Sequence, residues 1–192
     1  SSDLLNGSVF FLHAMLTASF VGLPLVLAGS LHLPVNRHWE LYLPVMLLAA
    51  LVMGGSLRHM REVAQSLRVV MVCVVAMGLA LLGFALSGTH LLVFGLLAAV
   101  FFSGFNLLEA ALPSLVSRLA PLHLRGAALG AYSTSQFAGA FVGGTLGGIA
   151  LGRFGPHGIF AGAAVLTLLW LPLLVSGSRR IVDGSLMADA SA

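Results

Sequence analysis

The sequence predicts an all-α, multi-pass membrane protein with six transmembrane helices, and three observations carry that prediction. Only 8% of the 192 residues are charged and 59% are hydrophobic, whereas soluble domains carry charge on about a quarter of their residues. Apolar runs recur along the whole chain, each near the ~20 residues that cross a bilayer as helix. Turn-forming punctuation separates them: "GSLHLPVNRHWE" after the first run, "SGTH" after the third and "GRFGPHG" after the fifth. The expected spans are 8–29, 39–57, 67–87, 90–117, 126–152 and 156–176, so residues 1–192 form a single bundle.

Charge gives an orientation. All nine basic residues are arginines, and they sit in connecting loops rather than on one continuous face. A pI near 10 therefore does not point to a nucleic-acid partner. Arg58, Arg61 and Arg68 follow the second span, Arg118 and Arg125 the fourth, and Arg179 and Arg180 the sixth; only Arg37 and Arg153 lie on the other side. The positive-inside rule then places both termini in the cytoplasm, as an even number of spans requires. The lipid bilayer is the first expected partner. No cleavable signal is visible before the first run. The opening "SSDLLNG", without methionine, suggests a processed or trimmed piece.

The first span holds His13, with Thr17 one turn later on the same face. Histidine suits proton exchange near neutral pH, and it also suits hydrogen-bonded packing. The third span is apolar on every face, with Cys73 expected simply to pack; the sixth has only Thr167 among polar side chains. Both are expected to face lipid. Each block of three spans thus ends in a featureless helix, the pattern of two three-helix repeats.

The fourth span raises the sharper question. Phe102, Asn106, Glu109 and Pro113 follow one another at steps of four, three and four, so they share a helix face. An ionised side chain in hydrocarbon costs a few kcal/mol or more and usually has a partner, a wet cavity or a task. Counted from His90, Glu109 lies about 28 Å along the helix, close to the cytoplasmic boundary. Two readings stand open. Either the acid pairs with Arg118, Arg125 or a helix N-terminus, or it serves transport.

In the fifth span Tyr132, Gln136, Gly139, Gly143 and Gly147 form a stripe, with Gly144 and Gly148 beside it. Small residues four apart let helices approach closely, so these glycines are expected to form a helix-packing seam. Tyr132, Ser133, Ser135 and Gln136 either line a pathway or bond between helices. No phosphate-loop or dinucleotide pattern is present, no Ser/His/Asp set or acid pair stands out, and the remaining histidines lack metal-ligand spacing. An enzyme is not expected, nor a metal or other cofactor.

The stretch "FNLLEAALPSLVSRLAPLHLRGAALGAYSTSQFAGAFVGGTLGG" resembles the tenth and eleventh helices of a major facilitator superfamily transporter, especially in the YajR-like group of proton-driven efflux proteins. The matching pieces are Phe105-Asn106, Leu108-Glu109-Ala110, Leu112-Pro113-Ser114, Ala120-Pro121, Arg125-Gly126 and Tyr132 through Phe137. The likeness extends more loosely over the chain, which makes its spans the family's helices seven to twelve. "GGSLRHMREVAQ" stands in place of a family loop rich in Gly, Asp and Arg, in degenerate form with His59 where an acid would stand.

The resemblance implies one bundle of two inverted three-helix repeats, working by alternating access against an N-terminal six-helix half outside this sequence. It implies an antiporter of the bacterial inner membrane, with proton-coupled efflux of a drug or small metabolite and the proton gradient as energy source. His13, Thr17, Phe102, Asn106, Glu109, Tyr132 and Gln136 become pathway candidates, with Glu109 not the sole coupling group. The alternatives are a half-transporter acting as a dimer and a membrane scaffold without transport.

Overall fold

The computed structural model describes residues 2–56, 60, 62–86 and 90–190, with side chains as far as Ile181. Helix α1 spans Ser2–Gly29, α2 Trp39–Ser56, α3 Val63–Leu86, α4 Leu91–Leu119 and α5 Arg125–Ala190, with short 3-10 turns at Val35–Arg37 and Leu122–Leu124. All five helices contain a stretch long and apolar enough to cross a bilayer. Arg58, His59 and Arg61, part of the arginine count, and Ser87–Thr89 of "SGTH" lie outside the described residues.

Several boundaries differ from the expected ones; α3 starts at Val63 instead of 67, and the last helix runs to Ala190 instead of 176. Helix α1 starts at Ser2 instead of 8, with Asp3 in its first turn. An acid there suits the positive end of the helix dipole, and hydropathy detects where lipid begins, not where helix begins. The fifth and sixth spans run together as α5, interrupted at Gly155, whose φ of 70° and ψ of −175° are not helical. That left-handed backbone is open to glycine at little steric cost, and it falls inside the punctuation "GRFGPHG".

Contacts with α1 give the sense of the two limbs of α5. In the first limb, Gly139 meets Phe10, Gly143 meets Ala14 and Gly147 meets Ala18, so both numbers rise together. In the second limb, Phe160 meets Gly22 and Gly177 meets Leu4. Between them Thr167 donates to Met15 Sδ at 3.3 Å and Trp170 Nε1 to Ser8 Oγ at 3.1 Å. The numbers now run in opposite directions. The chain therefore folds back at Gly155, and α1 lies along both limbs.

The rest of the packing follows from apolar stripes. Helix α3 buries Leu67, Val70, Val74, Met77, Leu81 and Phe84 on one face and exposes Val72, Leu79, Leu82 and Leu86 on the other. The second limb of α5 divides likewise, with Phe160, Trp170 and Leu174 buried and Leu168, Leu169 and Leu173 exposed. These exposed apolar faces belong in lipid. At one end of the bundle Phe84 packs on Phe94, Phe101 and Phe160, with ring centroids 4.7, 6.3 and 5.1 Å away. His157 reaches across from α5 to the backbone oxygen of Phe84 at 3.2 Å, satisfying a carbonyl in the last turn of α3. Cys73 is buried with a free thiol.

Candidate functional site

Three helices bring one polar side chain each to a common point. His13 comes from α1, Glu109 from α4 and Gln136 from α5. Nε2 of Gln136 is 2.8 Å from Nε2 of His13 and 3.3 Å from Oε1 of Glu109. Nε2 of His13 lies 3.5 Å from Oε2 of Glu109. The other histidine nitrogen, Nδ1, is 3.2 Å from the Val9 carbonyl one turn back, and the ring meets Phe105 edge-on with centroids 5.7 Å apart.

The group is not uniformly dry. The histidine side chain is 10% exposed and that of glutamate 40%, so one carboxylate edge reaches open space. The other edge does not: Oε2 is shielded from solvent and has no hydrogen-bond partner. The Tyr132 hydroxyl, one turn before Gln136, is also shielded and unpartnered, and its ring lies within electrostatic reach of Glu109. Two orphaned polar atoms beside one histidine are costly in an apolar bundle, and such costs concentrate where function demands them.

The three side chains lie at similar heights along their helices. His13 is 11 residues from Ser2, Glu109 10 from Leu119 and Gln136 11 from Arg125, which puts all three about 15–17 Å from the nearer helix ends. Helices α1 and α4 are about 42 Å long, so a core of ~30 Å centred on them would start about 6 Å in. On that placement Glu109 lies about 9 Å inside the core. A cleft of 370 Å³ opens at that same end between the feet of the three helices, lined by Leu5, Asn6, Val116, Leu119, Ala128 and Ala131 among others.

Among the described residues neither Arg118 nor Arg125 reaches Glu109. Arg118 donates instead to Ser66 Oγ at 2.7 Å, and to the Met60 and Ser114 carbonyls at 3.4 Å. Nine residues at about 100° each turn Arg118 to the opposite face of α4, toward α3. Arg125 begins α5, about 16 Å below Gln136 along the axis.

The other sequence candidates divide. Thr17 donates to the Ala140 carbonyl at 3.0 Å as well as to His13 O at 2.8 Å, so it joins α1 to α5 and does not face a cavity. Phe102 is buried between Phe20 and Phe101, at 5.9 and 5.3 Å. Asn106 is half-buried one turn from Glu109, with no side-chain hydrogen bond among the described residues. Gly139, Gly143 and Gly147 form the seam, where a Cβ would meet the backbone of α1; at Gly144 and Gly148 a Cβ would meet nothing within 4 Å. Among the described residues no group of three His, Cys, Asp or Glu could hold a metal ion.

A carboxylate, an amide and an imidazole from three apolar helices thus meet at one point. Known proteins give the class. The chain is a homologue of the inner membrane transport protein YajR of Escherichia coli (strain K12) and belongs to its family of membrane transport proteins. It is 37% identical over 199 aligned positions, which cover 96% of this chain and 42% of that protein. It is also 30% identical over 135 positions to an uncharacterized transporter of Buchnera aphidicola subsp. Acyrthosiphon pisum, covering 70% of this chain and 34% of the relative. A second uncharacterized transporter, from subsp. Baizongia pistaciae, is 25% identical over 169 positions. No family model matches. The chain spans less than half the length of these relatives.

Proposed function

We propose that the chain is the C-terminal half of a twelve-helix major facilitator superfamily transporter of the bacterial inner membrane, and that the whole protein exports a drug or small metabolite in exchange for protons. Its six crossings are α1 to α4 and the two limbs of α5, both termini are cytoplasmic, and the bundle works against an N-terminal half by alternating access. It is a transporter and not an enzyme, like its named relatives. Support for the missing half comes from the relatives, of which the chain spans 34–42%.

The observation that carries proton coupling is the shared contact of His13, Gln136 and Glu109, at 2.8 to 3.5 Å. An imidazole ring can accept and release a proton, and the Glu109 carboxylate 3.5 Å away can sit against the charged ring. One proton can then enter with the pair ending as imidazolium and carboxylate, instead of as an isolated charge in lipid. Tyr132 completes the group, and the cleft at the foot of α1, α4 and α5 offers water a way towards it. Phe102 and Thr17 contribute shape and helix contact, not proton chemistry.

The test is Glu109→Gln in the full-length transporter, in everted vesicles energised by a pH gradient, with export of a drug-like dye as readout. Glutamine keeps the shape and loses the charge, so proton-driven export falls to background while folded yield persists. Unchanged export per folded molecule, with only a lowered melting temperature, would reduce Glu109 to a structural role.

A further inference from the structure

Hydrogen-bond bookkeeping at the cluster assigns its protons. Nδ1 of His13 faces the Val9 carbonyl at 3.2 Å, and a carbonyl can only accept. Nδ1 therefore keeps its hydrogen, and Nε2 is the position that gains or loses a proton. In the neutral ring Nε2 offers a lone pair, and the nearest group is the Gln136 amide nitrogen at 2.8 Å. That nitrogen has two hydrogens. The second points to Glu109 Oε1 at 3.3 Å. Both amide hydrogens are used, one on a neutral histidine and one on a carboxyl oxygen, so the arrangement drawn has His13 Nε2 without a proton.

A proton arriving from water at His13 Nε2 breaks this pattern. The new N–H would face an amide N–H at hydrogen-bond distance, two donors with no acceptor between them. The amide has to turn over about its terminal torsion and offer its oxygen to Nε2–H. Glu109 Oε2, 3.5 Å from the same nitrogen and otherwise unpartnered, then faces the imidazolium directly. The titratable groups meeting there are His13 from α1, Glu109 from α4 and Tyr132 from α5.

We propose that Gln136 is the positioning residue for proton uptake: its amide holds the empty His13–Glu109 pair and turns over when His13 Nε2 takes the proton. This rests on the proton-site reading above and adds which atom is loaded and which side chain reports it. Amide Nε2 makes two donations in the empty state. The loaded state keeps one acceptance. Gln136 thus favours the empty pair, and removing its amide makes loading easier.

The experiment is a pH titration of the full-length transporter labelled with 15N-histidine, the His13 signals being those lost in His13→Gln. In the wild type, His13 at high pH is the neutral ring with hydrogen on Nδ1, the less common form in water. Gln136→Leu, with Gln136→Met as a second variant, raises the pH of half-loading by about half a unit to one unit, the worth of one hydrogen bond between neutral groups. A wild-type neutral ring carrying its hydrogen on Nε2 would overturn the proposal, whether or not either variant folds. So would an unmoved titration in a folded variant. The two readings fail separately: Glu109→Gln that still exports on a pH gradient sinks the coupling role and leaves the titration of His13 to decide this one.

Discussion

Two faces of the first limb of α5 carry the same residue and meet opposite fates. On one, Gly139, Gly143 and Gly147 lie so close to α1 that a Cβ would press on the backbone at Phe10, Ala14 and Ala18. On the other, Gly144, Gly148 and Gly152 meet nothing within 4 Å, and Phe137 and Phe141 stand 72% and 75% exposed nearby. The step from Gly139 to Gly144 turns about 140° around the helix, enough to carry a glycine from the seam to the outside. Small-residue spacing says how near a neighbour can come. It does not say whether this chain supplies the neighbour.

That contrast can be broken most sharply by Gly143→Leu against Gly148→Leu. The first drives a side chain into the Ala14 carbonyl and the Thr17 hydroxyl. It is expected to cost at least about 3 kcal/mol, the upper end for overpacking, seen as lost folded yield in detergent. The second has room, and folded yield stays near wild type. Equal losses in both would mean that the open face has a partner after all. Thr17→Val sharpens the seam on a smaller scale. It keeps the shape and removes the bond to Ala140 O, for an expected loss of about 0.6 kcal/mol, typical of bonds between membrane helices. A melt indistinguishable from wild type would show that backbone contact alone holds α1 to α5.

The smallest effect marks the outside of the molecule. Arg37 holds Glu40 by two bonds, Nε to Oε1 at 2.7 Å and Nη2 to Oε2 at 2.9 Å. Whatever the pair contributes is present at neutral pH and lost as the pH falls through the carboxylate range. Exposed pairs of this kind contribute little, so Arg37→Gln should melt with the wild type at pH 7 and at pH 5. A clear difference at pH 7 that vanishes on acidification would show that the α1–α2 connection is tighter than its exposure implies.

How much of this was legible beforehand depends on the distance over which each feature is encoded. Apolar runs and the punctuation around Gly155 are local, and they placed the helices to within a few residues except at Ser2 and at Ala190, where helix continues beyond the apolar run. The stripe of Asn106 and Glu109 was legible for the same reason, since three residues apart share a face. Their partners were not. Gln136 stands 123 residues from His13 and 27 from Glu109, and no spacing rule links such positions. The arginine expected at Glu109 failed on rotation: Arg118 is near in sequence and on the wrong side of its helix. His13 and Gln136 were each visible as polar residues in apolar spans, and that shared oddity was the available hint that they meet.

The turn at Gly155 also has a consequence for how the protein is made. Helix α1 leaves the ribosome before the rest of this bundle, yet it waits for the second limb of α5, and Ser8 and Trp170 bond across 162 residues of chain. Until α4 and α5 arrive, His13 sits in lipid without Glu109 or Gln136. Long-range pairing of this kind slows assembly and leaves intermediates exposed. The bundle closes only once the second limb of α5 is made, so a ribosome that stalls before Trp170 leaves an early helix with an unmet polar group, the sort of defect that membrane quality control removes.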